Sequence, residues 1–294
     1  MKAIVFGGSG FLGSHVADEL LKQGYETIIY DKTPSLYLQE GQKMIVGDIL
    51  DIKNVEKAVK DCDYVYNFAG IADLDKAKIK PLETVNLNIL GNINILEASV
   101  KSNIKRFIYA SSIYVYSQKG GFYRCSKQAS EIYIEEYNKY YGLEYTILRY
   151  GSIYGPRADE RNPIYRYLKQ ALEGKKIKCS NPEETREYIH VRDAAKLSVE
   201  ILDDKFANRH IILSGHYRMK VKEMMLIIKE IMNNSIEVDF IDNKRTNGHY
   251  SYTPYSYSPK IGDKLLNDCY VDIGQGILEC LEEINDKKFS NEHK

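Results

Sequence analysis

The chain opens with Lys2-Ala3-Ile4-Val5-Phe6-Gly7-Gly8-Ser9-Gly10-Phe11-Leu12-Gly13, an apolar run, a glycine-rich turn and the start of an amphipathic helix reaching about Lys22. Glycines at 7, 10 and 13 allow a tight turn, close backbone approach to a pyrophosphate and close packing of helix on strand, with phosphate at the helix N-terminus. A second strand, Thr27 to Tyr30, then delivers Asp31 where a ribose-binding acid is expected in a dinucleotide site. The bland alternative is a glycine turn beside a surface Asp, and the strand, turn, helix and second strand in sequence weigh against it.

Working outward, strand and helix keep alternating. Met44 to Gly47 reads as a short buried strand with Asp48 at its C-terminal end, where ligands collect in such sheets, and Asp48 also suits capping of a helix from about Asp51 to Lys60. Tyr64 to Ala69 is a fourth strand. A long helix follows from about Pro81 to Lys101, with Val85, Ile89, Ile93 and Leu96 on a helical spacing. Arg106 to Ser112 and Glu144 to Arg149 are further strands, separated by a helix from Phe122 to Tyr141. This alternation predicts an α/β fold of Rossmann type, a doubly wound parallel sheet covered on both faces.

Beyond Pro156 the alternation breaks. A helix from about Asn162 to Glu173 begins a second region, and a helix near Asp193 to Leu202 with a strand at His210 to Leu213 returns to the first domain. The rest contains a helix (about Val221 to Met232), a strand (Glu237 to Ile241), a Tyr- and Pro-rich loop (Thr253 to Lys260) and a final helix near Ile273 to Ile284. The expected division is a dinucleotide-binding domain of residues 1–156 and 188–214, and a smaller α/β substrate-binding region of residues 157–187 and 215–294.

Chemistry concentrates in residues 111–127. Ser111-Ser112-Ile113-Tyr114-Val115-Tyr116 ends a strand, Gly120-Gly121 closes the loop after it, and Phe122-Tyr123-Arg124-Cys125-Ser126-Lys127 opens a helix. Tyr123 and Lys127 stand four apart, so both side chains point to one helix face. Making a phenol of pKa near ~10 a useful base near pH 7 takes a shift of about three units, roughly 4 kcal/mol. One ammonium at ~4 Å supplies about that much at an effective dielectric of ~20. In a chain with 25 Tyr, however, Tyr-x-x-x-Lys also arises by chance.

Composition bounds the partners without selecting a function. The 294 residues carry 41 Lys+Arg against 41 Asp+Glu, so nothing points to nucleic acid or an acidic membrane as partner. Five Cys, at 62, 125, 179, 269 and 280, have no paired metal spacing, so no metal is expected. Without a signal peptide or long apolar run they read as reduced thiols of a cytoplasmic protein with no membrane insertion.

The chain resembles the extended short-chain dehydrogenase/reductases, in particular the nucleotide-sugar epimerase/dehydratase group, over nearly its whole length. The resemblance rests on the Gly7-x-x-Gly10-x-x-Gly13 loop, Gly47-Asp48-Ile49, Asn67-Phe68-Ala69-Gly70, the Ser-Ser-x-x-Val-Tyr run at 111–116 and Tyr123-x-x-x-Lys127. Leu148-Arg149-Tyr150-Gly151-Ser152-Ile153-Tyr154-Gly155-Pro156 and Arg186-Glu187-Tyr188-Ile189-His190-Val191-Arg192-Asp193 complete it, in family order. It implies NAD as cofactor, held by Gly7, Gly10, Phe11, Leu12, Gly13, Asp31, Asp48, Ile49, Phe68, Ala69, Gly70, Asn88, Tyr123, Lys127 and Tyr150. It implies a nucleotide-sugar substrate contacted by Ser112, Ser152, Arg186 and Arg245, and a homodimer built on the helices at 81–101 and 122–141.

In the mechanism this resemblance implies, Tyr123 as phenolate removes a sugar hydroxyl proton, usually at C4. Lys127 lowers the Tyr pKa and holds the nicotinamide ribose, and Ser112 hydrogen-bonds the reacting oxygen. Dehydratases of the group carry Asp-Glu after the catalytic hydroxyl residue, whereas this chain has Ile113-Tyr114, which disfavours elimination. An epimerase is the first expectation, a 4-dehydrogenase or 4-keto reductase the second. A non-catalytic NAD(P)-responsive binding protein is a third, ranked lower because Tyr123 and Lys127 are both present. The chain departs from the family pattern in a short 117–122 connection, Ser152 in place of Asn, no Gly-Asp-Gly turn before Arg186, and Asn247-Gly248 after Arg245.

Overall fold

The computed structural model describes residues 1–174, 176–241, 263–265 and 270–292, and Arg245 lies outside them. The chain forms two compact units. The first comprises Met1–Tyr150, Ala195–Leu213 and Pro254–Leu265, the second Gly151–Ala194, Ser214–Thr253 and Leu266–Lys294.

The first unit begins β1 (Lys2–Phe6), α1 (Phe11–Lys22), β2 (Glu26–Asp31), β3 (Gln42–Val46), α2 (Ile52–Val59) and β4 (Tyr64–Asn67). It continues through α3 (Leu74–Ile79), α4 (Pro81–Val85), α5 (Gly91–Lys101), β5 (Arg106–Ser112), α6 (Gly121–Tyr141) and β6 (Tyr145–Tyr150). The strands β1, β4, β5 and β6 carry apolar centres and are buried along almost their whole length on both faces, which is what a parallel sheet under helices requires. Ile4, Phe6, Tyr30, Val65, Phe107 and Ile147 are among the residues of its core.

The second unit takes β7 (Ser152–Tyr154), α7 (Pro163–Gly174), β8 (Lys176–Ser180) and β9 (Thr185–His190), after which α8 (Val191–Glu200) and β10 (Arg209–Leu213) run into the first unit. Then follow β11 (Arg218–Lys220), α9 (Val221–Ile231), β12 (Glu237–Ile241), β13 (Asp263–Lys264) and α10 (Ile273–Glu292). In the first unit the eight-stranded sheet has the order β13-β10-β6-β5-β4-β1-β2-β3, every neighbouring pair parallel. The order reverses around β1, as in doubly wound dinucleotide-binding sheets. The second unit has a three-stranded sheet, β11-β9-β7, and a parallel pair, β12-β8, over a core that includes Leu168, Met224, Met225, Ile228 and Ile277.

Three readings need correction. The single helix expected over 81–101 is α4 and α5 joined by one π-helical turn, Asn86–Leu90. The cap of α2 is Asp51, whose carboxylate accepts from the Asn54 amide at 3.2 Å, while Asp48 instead accepts from the Leu50 amide at 3.0 Å. A helix at Leu74–Ile79 and the short strands β7, β8, β9, β11 and β13 were not anticipated. A strand of three residues, such as β7 or β11, is shorter than the period-2 pattern needed to announce it.

Candidate active site

The turn after β1 is built by backbone proximity. Gly7, at φ +76°, donates its amide to Tyr30 O (2.9 Å), and a Cβ placed on it would lie 2.6 Å from the Ala69 amide nitrogen. A Cβ on Gly13 would lie 2.2 Å from Gly7 O, so helix α1 approaches the turn as closely as two backbones can. Gly10 is the N-cap of α1 and provides no side chain to satisfy the first-turn amides, including those of Phe11, Leu12 and Gly13. The Gly10 amide donates to Gly7 O at 3.1 Å, and the amides of Phe11, Leu12 and Gly13, without an intrahelical acceptor at the positive end of the helix dipole, make a ready anion site.

Asp31 stands at the end of β2 beside that turn. Its carboxylate accepts from the Ser9 amide (3.1 Å) and the Thr33 amide (3.3 Å), which fixes it against the glycine loop. Lys32 pairs with Asp48 at 3.0 Å. The Leu50 amide, with Lys32 beside it, holds the Asp48 carboxyl below the usual carboxylate range. Ile49 is buried, and its carbonyl accepts from Asn94 Nδ2 at 2.9 Å.

The end of β4 is shaped by two asparagines. Asn67 Oδ1 accepts from the Ala69 amide at 3.0 Å, turning the chain through Phe68 and Ala69. Asn88, in the π turn and 2% exposed, accepts from the Ile71 amide (2.7 Å) and donates to Ile71 O (2.9 Å) and to Ser126 Oγ (2.9 Å). Gly70 passes directly over this amide, since a Cβ there would lie 2.4 Å from Asn88 Oδ1. Ser126 in turn donates to Tyr123 O at 2.8 Å. A π turn inserts an extra residue and re-aims the side chains around it, and here it brings one amide to both the β4 loop and α6. Sequence reading singled out Asn88 but not Ser126, whose position three after Tyr123 was the available signal.

Tyr123 and Lys127 both face inward from α6, at 8% and 7% exposure. Lys127 Nζ donates to Ala110 O on β5 at 2.6 Å and lies 4.7 Å from the Tyr109 ring centroid and 5.8 Å from that of Tyr123. Burial pushes the ammonium down to about 8, against the opposing pull of Glu131. Ser112 ends β5 with its Oγ accepting from the Tyr114 amide at 3.3 Å, and the Tyr114 and Tyr123 rings meet edge-on at 6.1 Å. The short 117–122 connection is held by Arg124, which donates to Ser117 O (3.0 Å), and by Gln128, which donates to Val115 O (2.8 Å). Tyr150, at the end of β6, bonds Ser198 through its hydroxyl (2.6 Å), so its ring rather than its hydroxyl is turned to Phe68, 6.3 Å away.

The remaining predicted residues belong to the second unit. Ser152 begins β7 and pairs in register with Tyr188 of β9. Arg186, on β9 and 8% exposed, donates to Glu184 (2.5 Å) and to Thr185 O (3.1 Å). Burial raises the Glu184 carboxyl even with that guanidinium beside it.

The chain is similar to several known proteins. Over 253 residues the chain is 30% identical to the putative UDP-glucose 4-epimerase of Methanocaldococcus jannaschii, covering 77% of this chain and 81% of that one. The UDP-N-acetylglucosamine 4-epimerase of Methanobrevibacter ruminantium superposes with a TM-score of 0.85 at 26% identity, over 97% of this chain and 98% of the other. The UDP-glucuronic acid 4-epimerase of Bacillus cereus, solved with UDP-glucuronic acid and NAD, gives 0.83 at 25% identity over 98% of this chain and all of its own (100%). Residues 3–214, which hold the glycine loop, Asp31, Ser112, Tyr123 and Lys127, match a family profile, and on that match the chain belongs to the NAD-dependent epimerase/dehydratase family.

Proposed function

We propose that this protein is a nucleotide-sugar 4-epimerase acting on a UDP-sugar, with residues 111–127 as its catalytic centre. The observation that carries the reading is Lys127, a buried ammonium set between Ala110 O and the Tyr109 and Tyr123 rings, four residues from the one phenol on the same helix face that a hydroxyl substrate would need. The relatives named above, with three different UDP-sugars among them, support the substrate class.

The residues fit the cofactor. The approach of Gly13 to Gly7 leaves no room for any side chain, and the uncapped first turn of α1 offers amides to a pyrophosphate. Asp31, held by Ser9 and Thr33, would accept from ribose hydroxyls, and Asp48 with Ile49 would face the adenine. Phe68, Ala69 and Gly70 would pass close to the cofactor, with Asn67 fixing the Ala69 amide and Asn88 the Ile71 backbone that follows. When bound, NAD supplies the hydride acceptor and, on return, the donor.

Tyr123 Oη takes the proton of the sugar hydroxyl and gives it back after the ring has turned. Lys127 favours the phenolate electrostatically and, with one of its three donors on Ala110 O, has two left for the phenol side and the nicotinamide ribose. Ser112 hydrogen-bonds the reacting oxygen, and Tyr150 closes the ring side of the site. Arg186, with Ser152 and Arg245, would take the substrate's diphosphate and sugar, a guanidinium fork suiting diphosphate.

Leu82, Val85 and Leu90 on α4, the π turn and Ile132, Tyr133 and Tyr140 on α6 are exposed large apolar residues, which supports a homodimer through these helices. No helix among the described residues is long and apolar enough to cross a membrane. A cytoplasmic location is supported by the free thiols of Cys62, Cys125, Cys179 and Cys280. The test of function is incubation of the NAD-loaded protein with UDP-glucose, UDP-N-acetylglucosamine and UDP-glucuronic acid, followed by NMR of the products. Interconversion of C4 epimers with no net cofactor reduction is the expected result. Release of a keto sugar with stoichiometric cofactor reduction would make it a dehydrogenase instead.

A further inference from the structure

Two residues of the shared sequence pattern, Tyr116 and Arg149, have no part in the chemistry described so far, yet they meet in one buried network. Arg149 on β6 forks onto Glu131 of α6, Nε to Oε1 at 3.1 Å and Nη2 to Oε2 at 2.6 Å, with the two residues 3% and 4% exposed. Ser111 Oγ donates to Glu131 Oε1 at 2.5 Å. Tyr116 Oη accepts from Arg149 Nη1 at 2.5 Å, and the guanidinium lies over its ring at 4.7 Å. From β10, His210 adds a contact to Glu135 (3.1 Å) and stands 3.9 Å from Glu131.

We propose that the Glu131–Arg149 pair is a positioning device for catalysis, holding the Ser112 segment at both ends and fixing it against the helix that carries Tyr123 and Lys127. Ser111 and Tyr116 bracket Ser112–Val115, and each is bonded to one member of the pair. Glu131 is one turn beyond Lys127 and two beyond Tyr123 on the same face, so the carboxylate that receives Ser111 also sets where those side chains sit relative to Ser112. A fully buried ion pair is a weak source of net stability, because desolvation offsets most of its attraction, whereas its directional hydrogen bonds fix geometry. Misplacement of reacting groups by about 1 Å is enough to slow a reaction on the order of a hundredfold.

This inference rests on the catalytic reading above, and its test separates the two. Glu131→Gln, Arg149→Met, their double variant and Tyr116→Phe are compared as NAD complexes by urea unfolding, by hydrogen exchange of the peptide covering 111–117 without sugar, and by single-turnover reduction of bound NAD on adding each of the three UDP-sugars. Each single charge change should lower the urea midpoint, and the double variant, which leaves no buried charge unpaired, should regain most of it. Exchange in 111–117 should stay accelerated in the double variant, and hydride transfer should stay about tenfold to a hundredfold slow with NAD affinity unchanged. Wild-type exchange and wild-type hydride transfer in the double variant would overturn the proposal and leave the pair a structural one. If the charge variants do not fold, Tyr116→Phe decides: it deletes the far contact alone, and unchanged exchange and rate there overturn the proposal equally. A wild-type protein that neither reduces bound NAD transiently nor interconverts the C4 epimers of any of the sugars would refute the catalytic reading, and the exchange arm would still decide whether the pair holds the segment.

Discussion

At the level of single residues, Lys127 is the group whose titration governs the site in the proposed mechanism. Burial depresses its ammonium from 10.5 to about 8. In the active form the ammonium is protonated, so kcat/KM should fall as pH rises past about 8, where that cation is lost. Lys127→Met should lower turnover, abolish that upper limb and move the lower limb, which belongs to Tyr123, to higher pH; a pH–rate profile with both limbs unchanged would contradict the assignment. Stability follows with a definite sign. The folded value lies below the unfolded one, so between about 8 and 10.5 the unfolded chain binds more protons and the Lys127 contribution to stability rises with pH. Lys127→Met should therefore be more stable than wild type below pH 8, by a margin that shrinks across that window in urea titrations. We propose that Asp31 sets cofactor choice, because a carboxylate fixed by Ser9 and Thr33 would repel a ribose 2′-phosphate and Lys32 is drawn to Asp48. NADH should bind more tightly than NADPH by titration, and the reverse order would overturn that role. Arg186→Ala should raise the substrate KM by about tenfold to more than a hundredfold, the 1.5–3 kcal/mol of a charge-assisted hydrogen bond, with NAD affinity unchanged.

Among the elements, β1 to β6 and β10 were legible because each carries an apolar run bounded by turn residues, and the glycine loop because its spacing dictates a strand, a turn and a helix. The interruption of the 81–101 helix was not legible, since Val85, Ile89 and Ile93 keep a helical spacing through the π turn and nothing in the apolar pattern marks the inserted residue. That turn is nonetheless what brings Asn88 to Ile71 and Ser126. Asn88→Ala would leave the Ile71 amide and carbonyl without their partner in a buried setting, and should cost about 2–4 kcal/mol of stability in urea unfolding. A loss below about 0.5 kcal/mol, the level of an ordinary surface change, would show that the link is dispensable. In the second unit β7 and β11 escaped reading because three-residue strands carry too little pattern.

For the whole molecule, the proposed catalytic centre could be read in the sequence only where its members are close along the chain. Tyr123 and Lys127 announce themselves by a helical interval, and Ser112 by its place at a strand end. Glu131 meets Ser111 and Arg149 across intervals of 20 and 18 residues, set by the pairing of β5 with β6 and by the placement of α6, so no local pattern reveals it. What the fold as a whole accomplishes is to put a buried ammonium and a phenol beside the end of β5 and the family's dinucleotide loop at the end of β1. The most direct test of that account is single-turnover reduction of bound NAD by a UDP-sugar, followed by the absorbance of the reduced nicotinamide, in wild type and Tyr123→Phe. Phe keeps the ring packing and leaves the glycine loop and Asp31 untouched, so NAD should bind as in wild type while hydride transfer slows by roughly 10²–10⁴-fold, the effect of losing a general base. Hydride transfer at the wild-type rate in Tyr123→Phe would contradict the account and remove residues 111–127 as the centre of the reaction.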